Sequence, residues 1–404
     1  MTGRLLLAAW ALGTCALVFA PAKAQAQSQP QPQPQPQAHS FTPEQLRSID
    51  ALGPWPPAAK PDPSNRVSGK PMAIELGRRL FGDTRLSPTG YVSCVNCHQP
   101  DRAFTDHKPR AHGLADLLRN TPTLLNLANQ ARYGWDGASD SLWMASIRPL
   151  LDAREFDSSP AFVATVFTRD PELAACYRKV FGAAPTASHQ RTLVNVGKAL
   201  AAYQETLMSG RTAFDAYRDA LLKGDAQAAK AYPAAAQRGL QLFVGQGQCV
   251  ACHGGANFSD NNFYRIFANQ KNQTGQAASV DMGRHEGITR LQSNPLGLHG
   301  VHNDGAKTPQ AVKKEAPQDA LRHQFRTQSL RNISATAPYM HDGRFERLAD
   351  ALQHPLPVDA GHNAPKREPL SATQVQDLEA FLRTLSDSYG PNRPWPSVAQ
   401  SACP

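Results

Sequence analysis

The residues of this sequence best suited to chemistry are two copies of one short pattern, Cys-x-x-Cys-His. The copies are Cys94-x-x-Cys97-His98 and Cys249-x-x-Cys252-His253. Two thiols at this spacing can bond to the two vinyl groups of one porphyrin, and the adjacent histidine can then bind the iron. One copy alone would also fit a chance match, a redox-active thiol pair or half of a zinc site. Two copies that both end in histidine indicate two covalently attached c-type haems, with His98 and His253 as proximal iron ligands.

The segments on either side of the two motifs also repeat. Gly77–Phe81 precedes the first motif as Gly239–Phe243 precedes the second, and Phe104–Asp106 and Phe258–Asp260 follow them. Such internal similarity indicates the duplication of one haem-binding unit. We therefore expect a mainly α-helical fold of two cytochrome c-like haem domains, related by internal duplication and joined by long irregular loops.

The length and charge of the chain limit the number of domains and the classes of binding partner. A chain of 404 residues can form two ordinary domains, and we expect residues 41–225 to form the N-terminal haem domain and residues 226–404 the C-terminal one. The net charge of +9 comes without a long basic run or interleaved aromatic residues, so it favours solubility and partner steering over nucleic-acid binding. A homodimer is one assembly that the sequence leaves open.

Residues 1–26 have the features of a cleaved secretory signal peptide. Arg4 supplies the positive start and Leu5–Ala20 the apolar core, which is too short for a stable membrane span. Cys15 leaves lipid attachment as an alternative. Residues 27–40 form a low-complexity spacer of proline and glutamine. We expect export to the periplasm, the side of a bacterial membrane on which haem of this type is attached.

Apolar periodicity predicts several helices. We expect them over Pro71–Phe81, Arg191–Met208 and Thr212–Leu222, with a further helix that begins at the capping pair Ser371 and Gln374. No strand-rich region is evident in the sequence.

Two cysteines remain once the four haem-attaching residues and Cys15 are set aside. They are Cys176 and Cys403. In an oxidising compartment these thiols could form a disulfide that ties the C-terminal tail to the first domain. The sequence does not establish the geometry that such a bond requires, so the pairing stays open at this point.

Four further segments, together with the haem motifs, give the chain its resemblance to a known family. They are Arg119–Pro122, Trp135–Gly137, Ser329–Asn332 and Ala337–Gly343. Their order and spacing resemble those of bacterial di-haem cytochrome c peroxidases and the related MauG-like enzymes, from about Leu76 to about Leu385. The resemblance implies that the haem on His98 reacts with peroxide and that the haem on His253 supplies it with electrons.

The resemblance also implies roles for two residues that follow the first motif. Trp135 matches the tryptophan that lies between the two haems in the family, and a core tryptophan beside the Asp136–Gly137 turn is the simpler alternative. Glu155 matches the distal glutamate, a carboxylate that moves a proton when peroxide is cleaved. Its alternative is a solvated acid, and Ala153-Arg154 stands where the family often has Asn-Pro.

The sixth ligand of the first iron has a candidate by resemblance. His112 matches the histidine that closes the peroxide-reacting haem in resting peroxidases, whereas MauG-like enzymes keep that haem open. His107 is close enough in sequence to compete with it. A surface histidine is the simpler interpretation of His112.

The second haem departs from the family pattern. Where peroxidases supply a methionine and MauG-like enzymes a tyrosine, this chain has Pro355, which cannot bind iron. The adjacent His354 is our candidate for the sixth ligand, and His299 and His302 in the loop 291–321 are further candidates. We expect Met340 to pack in the interior.

A calcium ion between the domains is a further feature that the resemblance implies. Its ligands would be the side chain of Asn120 and the carbonyl oxygens of Thr336 and Pro338, and oxygen ligands of this kind suit a hard cation. Asn120 could equally be a turn residue.

We expect an oxidoreductase that reduces hydrogen peroxide to water with electrons from a small redox protein, a cytochrome c or a cupredoxin. The alternative is a MauG-like enzyme that uses peroxide to oxidise a tryptophan or another residue of a partner protein. Pro355, the loop 291–321 and the Gly361-His362 segment favour that alternative. A third hypothesis is a di-haem electron carrier without catalytic activity.

Overall fold

A computed structural model describes residues 41–58, 60–128, 130–265, 281–305, 317–354, 368–387 and 403. The predicted signal peptide and spacer, Pro355 and the Gly361-His362 segment lie outside these ranges. The described helices are α1 Pro43–Asp50, α2 Pro71–Phe81, α3 Cys94–Cys97, α4 Leu142–Leu151, α5 Pro160–Thr168, α6 Pro171–Phe181, α7 His189–Gln204, α8 Ala213–Lys223, α9 Ala226–Ala229, α10 Ala234–Val244, α11 Arg284–Ser293, α12 Leu348–Gln353 and α13 Ala372–Arg383. The fold is therefore mainly α-helical, as the sequence predicts.

Local sequence explains where the predicted helices begin and end. The bounds of α2 are those expected from its apolar spacing, with proline at the first position. The helix α13 begins after Ser371, whose hydroxyl accepts the backbone N–H of Gln374 in the predicted capping box. In contrast, α7 ends at Gln204, four residues before the predicted Met208, because Thr206 and Leu207 form tight turns instead of continuing the helix.

Two hydrophobic cores organise these helices. The first core contains α2 and α4–α7, and the second contains α1, α8, α10 and α13. The cores do not follow chain order, since Leu291 and Leu296 pack in the first core while α1 and α8 pack in the second. Each core contains residues from both sides of the predicted domain boundary at residue 225. The boundary itself stays a prediction.

One close helix crossing lies at the centre of each core. Helix α2 packs on α7, and α10 packs on α13. A Cβ atom at Gly77 of α2 would overlap the carbonyl oxygen of Ala199, and one at Gly239 of α10 would overlap that of Asp377. Only glycine lets the backbones approach this closely. Both glycines belong to the repeated segments that precede the Cys-x-x-Cys-His motifs.

The described residues contain a single two-stranded sheet. Its strands, β1 Phe263–Arg265 and β2 Gln324–Arg326, are antiparallel, and Tyr264 lies opposite Phe325. The sheet follows the second motif in the chain, and β2 leads directly into the Ser329–Asn332 segment. Its short strands match the expectation of a fold without a strand-rich region.

A disulfide joins Cys176 of α6 to Cys403, with 5.2 Å between their Cα atoms. This confirms the pairing that the sequence left open and fixes residue 403 against the first core. The four motif cysteines Cys94, Cys97, Cys249 and Cys252 form no disulfide among the described residues. No helix in the described part of the chain is both long and apolar enough to cross a membrane.

Candidate haem sites and peroxide site

The first Cys-x-x-Cys-His motif is built on the short helix α3. Asn96 accepts hydrogen bonds from the backbone N–H and the hydroxyl of Ser93, which fixes the start of the helix. The Nδ1 atom of His98 donates to the carbonyl oxygen of Phe104 at 3.0 Å. This bond leaves the Nε2 lone pair for a metal. Burial lowers the pKa of His98 and thereby favours the neutral imidazole that binds iron.

The second motif repeats this geometry. The Nδ1 atom of His253 donates to the carbonyl oxygen of Phe258 at 3.1 Å, and burial lowers the pKa of His253 as well. Phe104 and Phe258 have φ angles of 57° and 51°, a conformation that is uncommon for a non-glycine residue. Each phenylalanine thus turns its carbonyl toward the motif histidine.

A cavity of about 300 Å³ opens beside His253. Cys249 and Cys252 lie on its wall, and much of the remaining lining is apolar, from Phe243, Leu330, Tyr339, Leu348, Leu378 and Leu382. Two thiols, a neutral imidazole with one nitrogen free for iron and apolar walls are what a covalently bound porphyrin requires. The residues present therefore fit the haem that the motif implies.

Glu155 lies beside the first motif. The backbone N–H groups of Leu114 and Ala115 both donate to the carbonyl of Arg154, at 2.7 and 3.0 Å. Gly113 packs so closely on this turn that a Cβ atom there would lie 2.8 Å from the Cα of Glu155. The sulfur of Cys97 lies 3.7 Å from the carbonyl oxygen of His112, the residue before Gly113. The segment that packs on the Glu155 turn therefore also contacts the first motif.

The negative charge of Glu155 acts on both motif cysteines. Burial raises the pKa of Cys94 to about 12 and that of Cys97 to about 11, and the negative charge of Glu155 contributes to both increases. Burial also raises the pKa of Glu155 itself, against the opposing charge of Arg148. A carboxyl group with a raised pKa is better suited to carry a proton than an ordinary glutamate is.

The two histidines that could close the first haem have partners in this structure. The ring of His112 is about half exposed, and its Nδ1 lies 2.6 Å from a carboxylate oxygen of Asp116. His107 contacts the carbonyl oxygen of Ala335 through Nε2 at 3.0 Å. His112 adjoins the Glu155 turn, and its role as a distal ligand stays a prediction.

Trp135 lies at the junction of the two haem units and lines the His253 cavity. Its indole N–H donates to the carbonyl oxygen of Asn120 at 2.9 Å. Its ring meets the His341 ring edge-on, with 6.4 Å between the ring centroids, and His341 in turn stacks on Phe325 at 3.6 Å. Burial lowers the pKa of His341 to about 4, so this histidine is neutral at physiological pH.

Two reciprocal hydrogen bonds join the units at this point. The backbone N–H of Asn120 donates to the carbonyl of His341 at 2.7 Å, and that of Arg326 donates to the carbonyl of Trp135 at 2.8 Å. Our sequence interpretation missed His341 as the counterpart of Trp135. The signal was present, because Tyr133-Gly-Trp-Asp-Gly and Tyr339-Met-His-Asp-Gly share three of five residues.

Ion pairs hold the Trp135 turn in place. Arg119 lies between two buried carboxylates, 2.6 Å from Asp136 and 2.7 Å from Asp281. Burial raises the pKa of Asp136, but the adjacent Arg119 outweighs this effect and holds the pKa below its ordinary value. The turn that carries Trp135 is therefore fixed by charge as well as by packing.

The candidates for the second iron's sixth ligand fall into two groups. His354, the candidate that the sequence favours, lines the His253 cavity, and so does Met340, which we expected to pack in the interior. His302 does not line it, because its carbonyl oxygen binds Lys198, whose ion pair with Asp304 at 2.5 Å holds this loop on the first unit. His299 lies in the same loop, beside Asp140. The expectation that either loop histidine reaches this haem is therefore not supported.

The three predicted calcium ligands lie on the wall of one cavity. Asn120, Thr336 and Pro338 all line the His253 cavity, and the side-chain amide of Asn120 donates to the carbonyl of Lys108 at 2.8 Å. Across the described ranges, no group of three or more His, Cys, Asp or Glu side chains could hold a metal ion. Amide and carbonyl oxygens are a different ligand set, so the calcium site stays a prediction.

Comparison with known proteins gives the family. A family model described as di-haem cytochrome c peroxidase matches residues 71–226. The methylamine utilization protein MauG of Methylorubrum extorquens is 32% identical over 333 residues, which are 78% of each chain. The chain belongs to the di-haem cytochrome c peroxidase family. As a member of this family, it is a haem oxidoreductase of the peroxidase type with two c-type haems.

Other relatives come from both branches of this di-haem peroxidase family. The cytochrome c551 peroxidase of Pseudomonas aeruginosa is 30% identical over 331 residues, 81% of this chain and 83% of the relative. A crystal structure of a MauG-like protein associated with microbial copper homeostasis has the same fold, with a TM-score of 0.61 and 24% identity over 83% of this chain and 96% of that one. These matches leave the choice between peroxide reduction and protein oxidation open.

Proposed function

We propose that this protein reduces hydrogen peroxide to water at the haem on His98, with electrons that enter at the haem on His253 from a small redox protein. One peroxide, two electrons and two protons give two waters. The bound haem supplies the iron at which the oxygen–oxygen bond is cleaved. Glu155 takes the proton from the oxygen nearer the iron and returns it to the departing oxygen.

The observation that carries this proposal is the position of Glu155. It is a carboxyl with a raised pKa, held against the first motif through Gly113 and close enough to affect the pKa of both motif cysteines. The second cavity instead holds Met340 and His354, groups able to bind iron. An acid-base group at one haem and ligating groups at the other support different roles for the two haems.

Trp135 supports electron transfer between the haems. Its indole N–H donates to the carbonyl of Asn120, and the backbone of Pro122, two residues later, acts to raise the pKa of His98. The same indole lines the cavity of the second haem. An indole has a large π-system that is easily oxidised, so it suits a position between two redox centres.

We also propose that the two haem units arose by duplication. Asn126 and Asn332 support this, because both have φ angles near 60° and each receives a backbone N–H at its side-chain oxygen, from Ser209 and Asp387 respectively. The paired glycine crossings and the reciprocal bonds of Trp135 and His341 are further support.

Export to the periplasm is part of the proposal and rests on residues 1–26. The disulfide between Cys176 and Cys403 supports it, because such bonds persist in oxidising compartments. A calcium ion held by Asn120, Thr336 and Pro338 is likewise proposed. Chelation followed by metal analysis tests it: loss of one equivalent of calcium with loss of turnover supports the site, and a calcium-free active protein contradicts it.

The second candidate function is peroxide-driven oxidation of a partner protein. The 32% identity to a MauG protein favours it, as does Pro355 at the position where the family supplies methionine or tyrosine. In this case the two oxidising equivalents of peroxide would leave through the second haem to a residue of the partner.

Peroxide turnover with a reduced cytochrome c or cupredoxin separates these functions. We expect rapid turnover once the second haem is reduced and the first is oxidised. Slow turnover together with a long-lived state that stores both oxidising equivalents would contradict the peroxidase proposal and favour protein oxidation. No reaction with peroxide in any redox state would leave only an electron carrier.

A further inference from the structure

Arg326 is a deeply buried cation that the proposed mechanism does not use. It is the last residue of β2, it is 3% exposed, and it lines the His253 cavity. Burial lowers its pKa to about 10, so the guanidinium still carries its charge at neutral pH.

All the side-chain hydrogen bonds of Arg326 go to neutral oxygens. Nε donates to the carbonyl of Gly134, Nη1 to the side chains of Gln130 and Asn261, and Nη2 to that of Gln328, each at 2.9 to 3.0 Å. A guanidinium has five N–H groups, and these bonds use four of them. One N–H on Nη2 can still donate to a further acceptor, and none of these hydrogen-bond partners balances the positive charge.

No carboxylate among the described residues forms an ion pair with Arg326. Asp136 is close enough to affect its pKa, but the Asp136 carboxylate already lies 2.6 Å from Arg119. Arg331, which is equally buried, has a carboxylate partner in Asp215 at 2.9 Å. A buried cation without a counter-ion is unfavourable, so the cavity requires an anion.

We propose that Arg326 binds a propionate carboxylate of the haem attached at Cys249 and Cys252. The proposal rests on the proposed function only in that haem occupies the cavity beside His253. A carboxylate matches the free N–H and the planar, charged guanidinium. The first unit has the neutral Asn120 at the matching position, as the reciprocal bonds to Trp135 and His341 show. Arg326 therefore stabilises the reduced, less positive state of the second haem selectively.

Potentiometric titration of Arg326→Gln tests the proposal, with the two ferric haems followed separately by electron paramagnetic resonance. Without the cation, we expect the ratio of reduced to oxidised second haem at a fixed potential to fall about tenfold, or about 59 mV for a one-electron couple. The first haem should change by less than about twofold.

A pH series distinguishes a propionate ligand from a distant charge. Beside Arg326 the carboxylate stays ionised between about pH 5 and pH 8. In Arg326→Gln it takes up a proton within this range, and reduction favours the protonated form. The potential of the second haem should then fall more steeply with rising pH in the variant than in the native protein.

Two variants serve as controls. Arg265→Gln removes a charge from the same cavity, but from a more exposed side chain bonded to the carbonyls of Arg322 and Ala320, and should shift the ratio less than about twofold. Arg326→Lys keeps the charge and should stay within about threefold of the native ratio.

Two results would overturn the proposal. One is Arg326→Gln with both haems bound and a second haem whose potential and pH profile are those of the native protein. The other is Arg326→Lys with the same tenfold shift, which decides the matter if the glutamine variant fails to bind haem. Both readouts are potentials, so a chain that proves inactive toward peroxide leaves the test intact.

Discussion

The two haem units share one backbone frame, but they differ in the side chains near their motifs. In both, a glycine allows one close helix crossing, a phenylalanine carbonyl orients the motif histidine, and an asparagine ties the following loop to the end of a helix. The differences lie beside the first motif and in the cavity next to the second. Glu155 adjoins the first motif, whereas Met340, His354 and Arg326 line the second cavity. We propose that the shared frame holds a haem and that the added side chains determine what that haem does.

The glycine crossings test the shared frame with the largest expected effect. Gly77→Ala and Gly239→Ala each place a methyl group against a helix backbone, so each should lower the free energy of unfolding by about 3–4 kcal/mol. Chemical denaturation of the haem-loaded protein measures this. Gly82→Ala is the matched control, because no heavy atom lies within 4 Å of a Cβ atom there. A large effect at only one crossing would break the comparison.

The disulfide belongs to one unit only, since its two residues pack in the first core. Cys403→Ala should lower the free energy of unfolding of the first unit by about 2–3 kcal/mol. Denaturation followed by near-ultraviolet circular dichroism and by the separate haem signals detects it. Equal destabilisation of both haem environments would show that the bond acts on the whole chain.

Trp135 and His341 occupy matching positions, yet only an indole is readily oxidised. Trp135→Phe should slow electron transfer between the haems about tenfold, an increase of about 1.4 kcal/mol in the barrier, as measured by flash reduction. Trp143→Phe, in the first core, and His341→Phe should each change this rate less than about threefold. An unchanged rate in Trp135→Phe would place the electron path elsewhere.

The smallest expected effect concerns pH. Burial raises the pKa of Glu205, which follows α7, to about 7, and the matching residue of the second core is Arg383 at the end of α13. The folded chain thus holds the Glu205 proton more firmly than the unfolded chain does. The unfolding free energy should fall by about 1 kcal/mol as pH rises from about 4.5 to about 7, since the side chain is partly exposed.

Denaturation at several pH values measures this slope. Glu205→Gln should remove it, and Arg383→Gln should leave it unchanged. A slope that survives in Glu205→Gln would assign the pH dependence to another group.

The sequence predicts most of the local structure, because the signals for helices are themselves local. Apolar spacing places α2, and the Ser371–Gln374 capping box places the start of α13. The haem motifs are equally local. In the site, Glu155 and Trp135 could be selected by resemblance, and their roles stay predictions.

Long-range geometry could not be predicted in the same way. The pairing of Cys176 with Cys403 spans 227 residues, and no sequence signal gives its distance. The Lys198–Asp304 ion pair, which keeps His302 on the first unit, depends on how a loop folds back over α7. The sequence does not show that Arg326 lacks a carboxylate partner among the described residues, because its neighbours in space come from distant parts of the chain.

Peroxide reduction by Glu155→Gln tests whether the first haem unit carries the chemistry. The amide keeps the shape of Glu155 but cannot accept and return the proton, so the reaction of the half-reduced protein with peroxide should slow by about 10²–10⁴-fold. Both haems should stay bound and the potential of the second should not change. Asp157→Asn, an exposed acid of the same turn, is the control and should keep the native rate. A native rate in Glu155→Gln with both haems bound would contradict the account.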